Sequence, residues 1–297
     1  MSTLGSIVDC NVHLWDQRDN PLFWLTDRTL VRDLIGNYDS LPDVYTLGDY
    51  ERETAGFDVR GMVWSDAGAA DPVAAAEWVS RQHEERGLVA GIVSLGDPAD
   101  AGFGDLVERL RRIPLVRSIR VRVAAGLVRG TQNESTLLEQ PAVMDHFALM
   151  ARHGLVATIE AASDQLGVVT RLARELPHLK IVVDHFGWPT DLSDPGRRIH
   201  LDRLAELTAR PNVATRLDAI GTIFGAWTAE RVRPWLLATV ALFGPDRCML
   251  GSDLPIERLR SGFERLYRAY DEIFAGHTPL DREMLLRATA EQWYGTG

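Results

Sequence analysis

VRSIRVRV, Val116 to Val123, reads as a strand with two unlike faces. Side chains alternate along a strand, so Ile119, Val121 and Val123 share one face while Arg120 and Arg122 share the other. The apolar face suits packing against helices. The face with two guanidinium groups needs counter-ions, water or a ligand, because burying an unpartnered ion costs several kcal/mol. A closed parallel barrel meets both demands, with helices outside and charge at its inner mouth.

Seven further segments of this kind surround it: SIVDCNVHL, VRGMVWS, LVAGIVSL, LVATIEA, KIVVDHF, NVATRLDAI and RCMLGSD. Between most of them lie stretches with apolar residues at helical spacing, such as DPVAAAEWVSRQHEER, AVMDHFALMARH and TAERVRPWLLATVALF. Eight strand–helix units predict an α/β fold, a (β/α)8 TIM barrel. No linker or repeat divides the chain, so residues 1–297 are expected to form one barrel domain, with the final helix-like DREMLLRATAEQWYG packed outside it. Helix-to-strand connections are terse (ERG, RHG, RPN, GPD). Strand-to-helix connections are long, notably after the first, fourth and sixth strands, which places the working end at the C-terminal mouth.

Composition narrows the partners. A net charge of −10 argues against nucleic acid and anionic membrane surfaces, which select basic patches. No apolar run approaches the roughly 20 residues that span a bilayer, and MSTLGS lacks the basic start and apolar body of a signal peptide, so a cytoplasmic enzyme is expected. Cys10 and Cys248 have no metal-pair spacing and read as small buried hydrophobes facing away from the polar residues. Lys180, the only lysine, begins a strand, which disfavours a Schiff base or a carbamylated bridge.

Sorting by face collects candidate site residues. Asn11 and His13 share a face of the first strand, with Cys10, Val12 and Leu14 on the other. Glu160 points inward while Leu155, Ala157 and Ile159 face helices; Arg216 and Asp218 share the inner face of the seventh strand; Asp253 closes MLGSD at the mouth. Alternation leaves His185 ambiguous. Arg120 with Glu160, and Arg216 with Asp218, could equally be barrel cross-links, yet Asn11, His13, Glu160, His185 and Asp253 ending strands at one rim read as a site. The remaining histidines, His83, His146, His153, His178, His200 and His277, read as solvated. Trp15, Phe23 and Trp24 make the first loop a pocket wall or a loop pinned to the rim, and Trp15, Trp24, Phe186 and Trp188 suggest a flat or apolar part of the substrate.

The ordered strings VDCNVHLWD, IVVDHFGWP, NVATRLDAIG and MLGSDLP resemble the amidohydrolase-related barrel family, closest in look to its branch of sugar-lactone and pyrone dicarboxylate lactonases, from about Ile7 to Tyr294. The resemblance implies that His13 belongs to a first-strand pair of metal-binding histidines, that His185 is the sixth-strand histidine and Asp253 the eighth-strand carboxylate. Asn11 departs from the first histidine of that pair, and Arg216 stands where a lysine is usual. Two schemes stay open. A divalent metal, zinc or manganese, would be held by His13, Glu160 and Asp253 with Asn11 as a weaker oxygen donor, and His185 would shuttle protons. Without metal, Asp253 is the general base, His13 and His185 orient the carbonyl, and Arg120, Arg122 or Arg216 grips an anion, with Trp15 and Trp188 beside the substrate. No organic cofactor is expected. The first reading is hydrolysis of a small carboxylated cyclic ester. The alternatives are metal-dependent decarboxylation of an aromatic or unsaturated acid, and a barrel that has lost catalysis and only binds a small molecule.

Overall fold

The computed structural model describes residues 4–123 and 134–296. Eight parallel strands follow in order around one sheet: β1 (Ile7–Val12), β2 (Val59–Ser65), β3 (Val89–Leu95), β4 (Val116–Arg122), β5 (Val156–Glu160), β6 (Ile181–Val183), β7 (Val213–Leu217) and β8 (Cys248–Leu250). Just past the ends of β1 and β8, the Asp253 amide donates to the Asn11 carbonyl (2.8 Å) and the His13 amide to the Leu254 carbonyl (2.7 Å). These bonds bring the sheet round to a nearly closed barrel.

A helix follows each strand: α1 (Leu47–Glu53), α2 (Pro72–Arg86), α3 (Phe103–Leu110), α4 (Pro141–Arg152), α5 (Leu166–Glu175), α6 (Asp194–Thr208), α7 (Ala229–Phe243) and α8 (Phe263–Ile273). Their limits are written locally. For α2, Asp71 accepts the Val73 and Ala74 amides, Pro72 occupies the first turn, and Gly87 ends the helix in the left-handed region. The fold is therefore the (β/α)8 barrel that the strand spacing predicts. Much of the long connection expected after β4 lies outside the described residues.

Outward residues such as Ile119, Val121, Leu155, Ala157 and Ile159 join the helices in the main core, as alternation requires. The lower barrel interior is a second apolar cluster of Val8, Cys10, Val63, Val93, Val156, Val182, Ala214 and Met249. Burial of each such valine is worth about 1.5–3 kcal/mol. Ala290, Trp293 and Tyr294 belong to this cluster, so the C-terminal segment closes the barrel floor rather than lying on its flank.

Cys10 corrects the expected sorting of β1. It packs inside the barrel with Val8, whereas Val12 and Leu14 join the outer core. The pairing of β1 with β2 shifts register between Asp9 and Val12, and this irregularity breaks strict alternation. Cys248 is buried in the outer core, as expected.

Candidate active site

Above the apolar floor the interior turns polar, and three strands end in backbone that is uncommon away from glycine. His185, Phe186 and Trp188 after β6, Ala219 after β7 and Asp253 after β8 have φ of 52°, 41°, 37°, 54° and 60°. Each such residue costs on the order of 1–3 kcal/mol, and such costs concentrate at functional sites. The turn resolves the ambiguity of His185. Ile181 and Val183 face the helices, so continued alternation would carry His185 outward, but the left-handed turn swings it over the mouth.

The charged layer is a closed network. Parallel pairing sets Arg122 opposite Glu160 and Arg120 opposite Thr158. Arg120 reaches Glu160 (2.8 Å) and Asp184 (2.7 Å), and its Nη2 donates to His185 Nε2 (3.0 Å). Arg122 reaches Glu160 at 3.2 Å. Arg216, fully buried, pairs with Asp184, lies 3.7 Å from Asp218, and donates to the Cys10 carbonyl (3.0 Å) and Ser65 Oγ (2.8 Å). Three guanidinium groups thus meet three carboxylates.

Protonation follows from this layer. Burial alone would raise the Glu160 carboxyl, but Arg120, Arg122 and His185 pull it down to about 2. Burial is likewise outweighed at Asp218, which His185 and Arg216 hold at about 2. His185 Nδ1 donates to Asp218 at 2.7 Å. Burial lowers the affinity of His185 for a proton, but the charge and hydrogen bond of Asp218, and then Asp184, raise it further, so the net shift is upward. Nε2 can accept from Arg120 only while it is bare, so protonating it would set N–H against N–H and break that contact.

At the other side of the mouth, Asp253 Oδ1 accepts from Asn11 Nδ2 (3.0 Å) and faces His13 Nε2 (3.0 Å). His13 Nδ1 lies 2.6 Å from the Ser65 carbonyl, which can only accept, so Nδ1 carries a hydrogen. The Nε2–Oδ1 contact then needs a second proton, shared by the pair. Asp253 Oδ2 makes no hydrogen bond among the described residues.

The cavity above these groups offers about 80 Å³ to the centres of water-sized molecules, room for several waters or a small ring. His13, Arg120, Arg122, Glu160, His185, Trp188 and Asp253 line it. Other expected residues do not. Arg216 is absent from the lining, fully buried, ion-paired with Asp184 and donating through Nη1 to Cys10 and Ser65, so the expectation that it grips substrate gives way to the cross-link. Asn11 is buried behind Asp253. Trp15 donates to the Pro42 carbonyl (2.9 Å) and stacks edge-on against Trp24, pinning the first loop. Phe186 packs between His200 and Phe224. His200 is buried rather than solvated, and burial pushes it down to about 4. Asp184, which shares the inner face with Val182, is a member of the network that the sequence reading does not single out.

Whether these groups suit a metal is a question of free donors. Glu160, Asp184 and His185 bring ligand atoms within 4.8 Å of one another. The Arg120 guanidinium already bridges those three, so a cation there would meet a cation. Glu160 is further engaged by Arg122, and Asn11 turns its NH2 group toward Asp253, leaving its unpartnered Oδ1 on the side of the amide away from that carboxylate. That leaves His13 and Asp253, fewer than the three protein ligands usual for catalytic zinc. The donor set does not fit a resident zinc ion.

The amidohydrolase family profile matches residues 8–296. The chain belongs to the amidohydrolase family. It is a hydrolase by that membership. An uncharacterized protein of Sinorhizobium fredii is 26% identical over 295 residues, 97% of this chain and 98% of its own. L-fucono-1,5-lactonase of Burkholderia ambifaria is 31% identical over 177 residues, 59% of each chain. Among solved structures, a zinc-bound amidohydrolase from Burkholderia multivorans superposes with a TM-score of 0.82 at 17% identity, covering 99% of this chain and 100% of that one. The barrel is also shared with a probable 2-pyrone-4,6-dicarboxylic acid hydrolase from Acinetobacter baumannii (TM-score 0.68, 15% identity, 97% and 99% covered). 5-Carboxyvanillate decarboxylase from Sphingomonas paucimobilis shares it too (0.62, 12%, 98% and 99%). Among the described residues no helix is long and apolar enough to cross a membrane.

Proposed function

We propose that this amidohydrolase opens a small carboxylated lactone without a metal, with Asp253 as the base. The observation that carries the reading is the posture of Asp253: Asn11 and His13 hold Oδ1, leaving Oδ2 for a water in the cavity. Asp253 takes a proton from that water as its oxygen bonds to the lactone carbonyl carbon. Negative charge develops on the former carbonyl oxygen, and the nearby guanidinium groups of Arg120 and Arg122, which line the cavity, stabilise it. The ring C–O bond then breaks, and the departing alkoxide takes the proton from Asp253, giving a hydroxy acid.

Arg122 is half-buried and, among the described residues, contacts only Glu160 and, at 3.4 Å, the Ala67 carbonyl, which leaves N–H donors for the substrate carboxylate. His185 holds Arg120 in place and, with Trp188 edge-on at 5.0 Å, shapes the floor. A lactone is an activated ester and asks for less electrophilic help than an amide. Similarity to a lactonase supports this substrate class. A panel of lactones and of unsaturated and aromatic acids, read by proton release and by carbon dioxide release, tests it. Acid from lactones is expected; carbon dioxide without lactone turnover would replace the reading with decarboxylation.

A further inference from the structure

Away from the charged floor, the cavity wall is apolar. Phe23, Trp24, Val31, Leu34, Ile35 and Ile256 line it, and Thr222 supplies the one uncharged polar side chain of the described lining. The first five come from the loop after β1, and that loop is fastened. Trp24 Nε1 donates to the Ala67 carbonyl (2.8 Å), Tyr38 Oη donates to the Trp24 carbonyl (2.9 Å), and Arg260 donates to the Ile35 carbonyl (3.1 Å). Gly68 lies where a Cβ would fall 2.8 Å from the Phe23 ring, so the loop sits close against the end of β2. The wall is preformed, yet of its lining residues Phe23 is 41% exposed and Leu34 and Ile256 are only half-buried.

A polyhydroxylated ring would leave its hydroxyls against this wall without partners, which costs binding. An alkyl or aryl group would instead remove both surfaces from water. Resting on the lactonase reading, we infer that the substrate's remainder, beyond the reacting ring and its carboxylate, is apolar: an alkyl- or aryl-substituted lactone rather than a sugar lactone or a dicarboxylate. Arg120 is engaged by Glu160, Asp184 and His185, so of the two arginines in the described lining Arg122 is the one left for an anion, which also argues for one carboxylate and not two.

The test uses the purified enzyme with carboxylated γ-lactones bearing alkyl chains of one to five carbons, beside a polyhydroxylated lactone. In parallel, calorimetry measures binding of the matching cyclic ketones, which cannot be hydrolysed. The expected result is a kcat/KM and a ketone affinity that each rise about fourfold per methylene over the first additions, the value of burying one CH2. Leu34→Gln should flatten both slopes. Ketone affinity that rises with chain length while no lactone is turned over would retire the lactonase reading and leave the apolar subsite standing. A flat ketone series, an unchanged slope in folded Leu34→Gln, or a preference for the polyhydroxylated lactone would overturn the inference.

Discussion

Replacing Arg216 by methionine separates a barrel cross-link from a substrate clamp. The fully buried guanidinium compensates Asp184 and Asp218 and satisfies the Cys10 carbonyl and Ser65 Oγ. Methionine keeps much of the volume and none of the charge. Three cations against three carboxylates become two against three, with the excess negative charge enclosed. Breaking a buried pair from one side costs about 3–5 kcal/mol. That is a large part of the 5–15 kcal/mol typical of a domain. Removing Asp184 as well, in Arg216→Met/Asp184→Asn, should recover part of the loss by restoring balance between Arg120, Arg122, Glu160 and Asp218. Arg122→Met is the control: this half-buried side chain should cost about 1 kcal/mol or less but raise KM for a carboxylated lactone more than for its methyl ester. Urea unfolding with parallel kinetics on the folded enzymes reads both quantities. A cost under about 1 kcal/mol for Arg216→Met, or discrimination between acid and ester by it and not by Arg122→Met, would refute the cross-link.

Asp253→Asn keeps the shape of the site and removes the proposed base, so kcat should fall at least about a hundredfold with the fold intact by circular dichroism; near-normal turnover would end its assignment. Burial pushes Glu257 up to about 7 against the hydrogen bonds from Ser261, the Gly221 amide and Trp227, so the folded state holds a proton that the unfolded chain releases near 4.5. Its contribution to stability is present below that value and declines as pH rises to about 7, by on the order of 3 kcal/mol; Glu257→Gln should flatten this decline in denaturant titrations from pH 4 to 8. Glu160 and Asp218, held near 2, act in the opposite sense, adding stability above about pH 4 that is lost as pH falls toward 2. Asn11→His would give His13 and Asp253 a third donor, and competitive titration should show zinc binding at least about tenfold tighter than in the wild type.

Much of the barrel was legible because its strands carry two independent signals, apolar residues facing helices and charge facing the axis. Ile119, Arg120, Val121 and Arg122 sort correctly on alternation alone. Alternation failed where the backbone stopped being a strand. The register shift in β1 turned Cys10 inward, and left-handed residues after β6 brought His185 to the mouth against its parity. The partners of each inward charge were harder to read, since pairing depends on neighbours around the barrel. Alternation offers Arg216 as an anion grip or a cross-link, and the two carboxylates beside it, Asp184 and Asp218, decide for the cross-link. The cavity wall was half visible in the aromatics of the first loop. Which of them line the cavity depends on how the loop is pinned: Trp15 ties it down and Trp24 faces the space.

Asp253 is proposed to activate water with no metal held by His13, Asn11 and Asp253. The direct measurement is lactone turnover by enzyme stripped with a strong chelator, its residual metal assayed in the same sample at well under one equivalent. Undiminished proton release, unchanged or lowered by added zinc, is the predicted result; activity abolished by stripping and restored by one equivalent of zinc or manganese would contradict it.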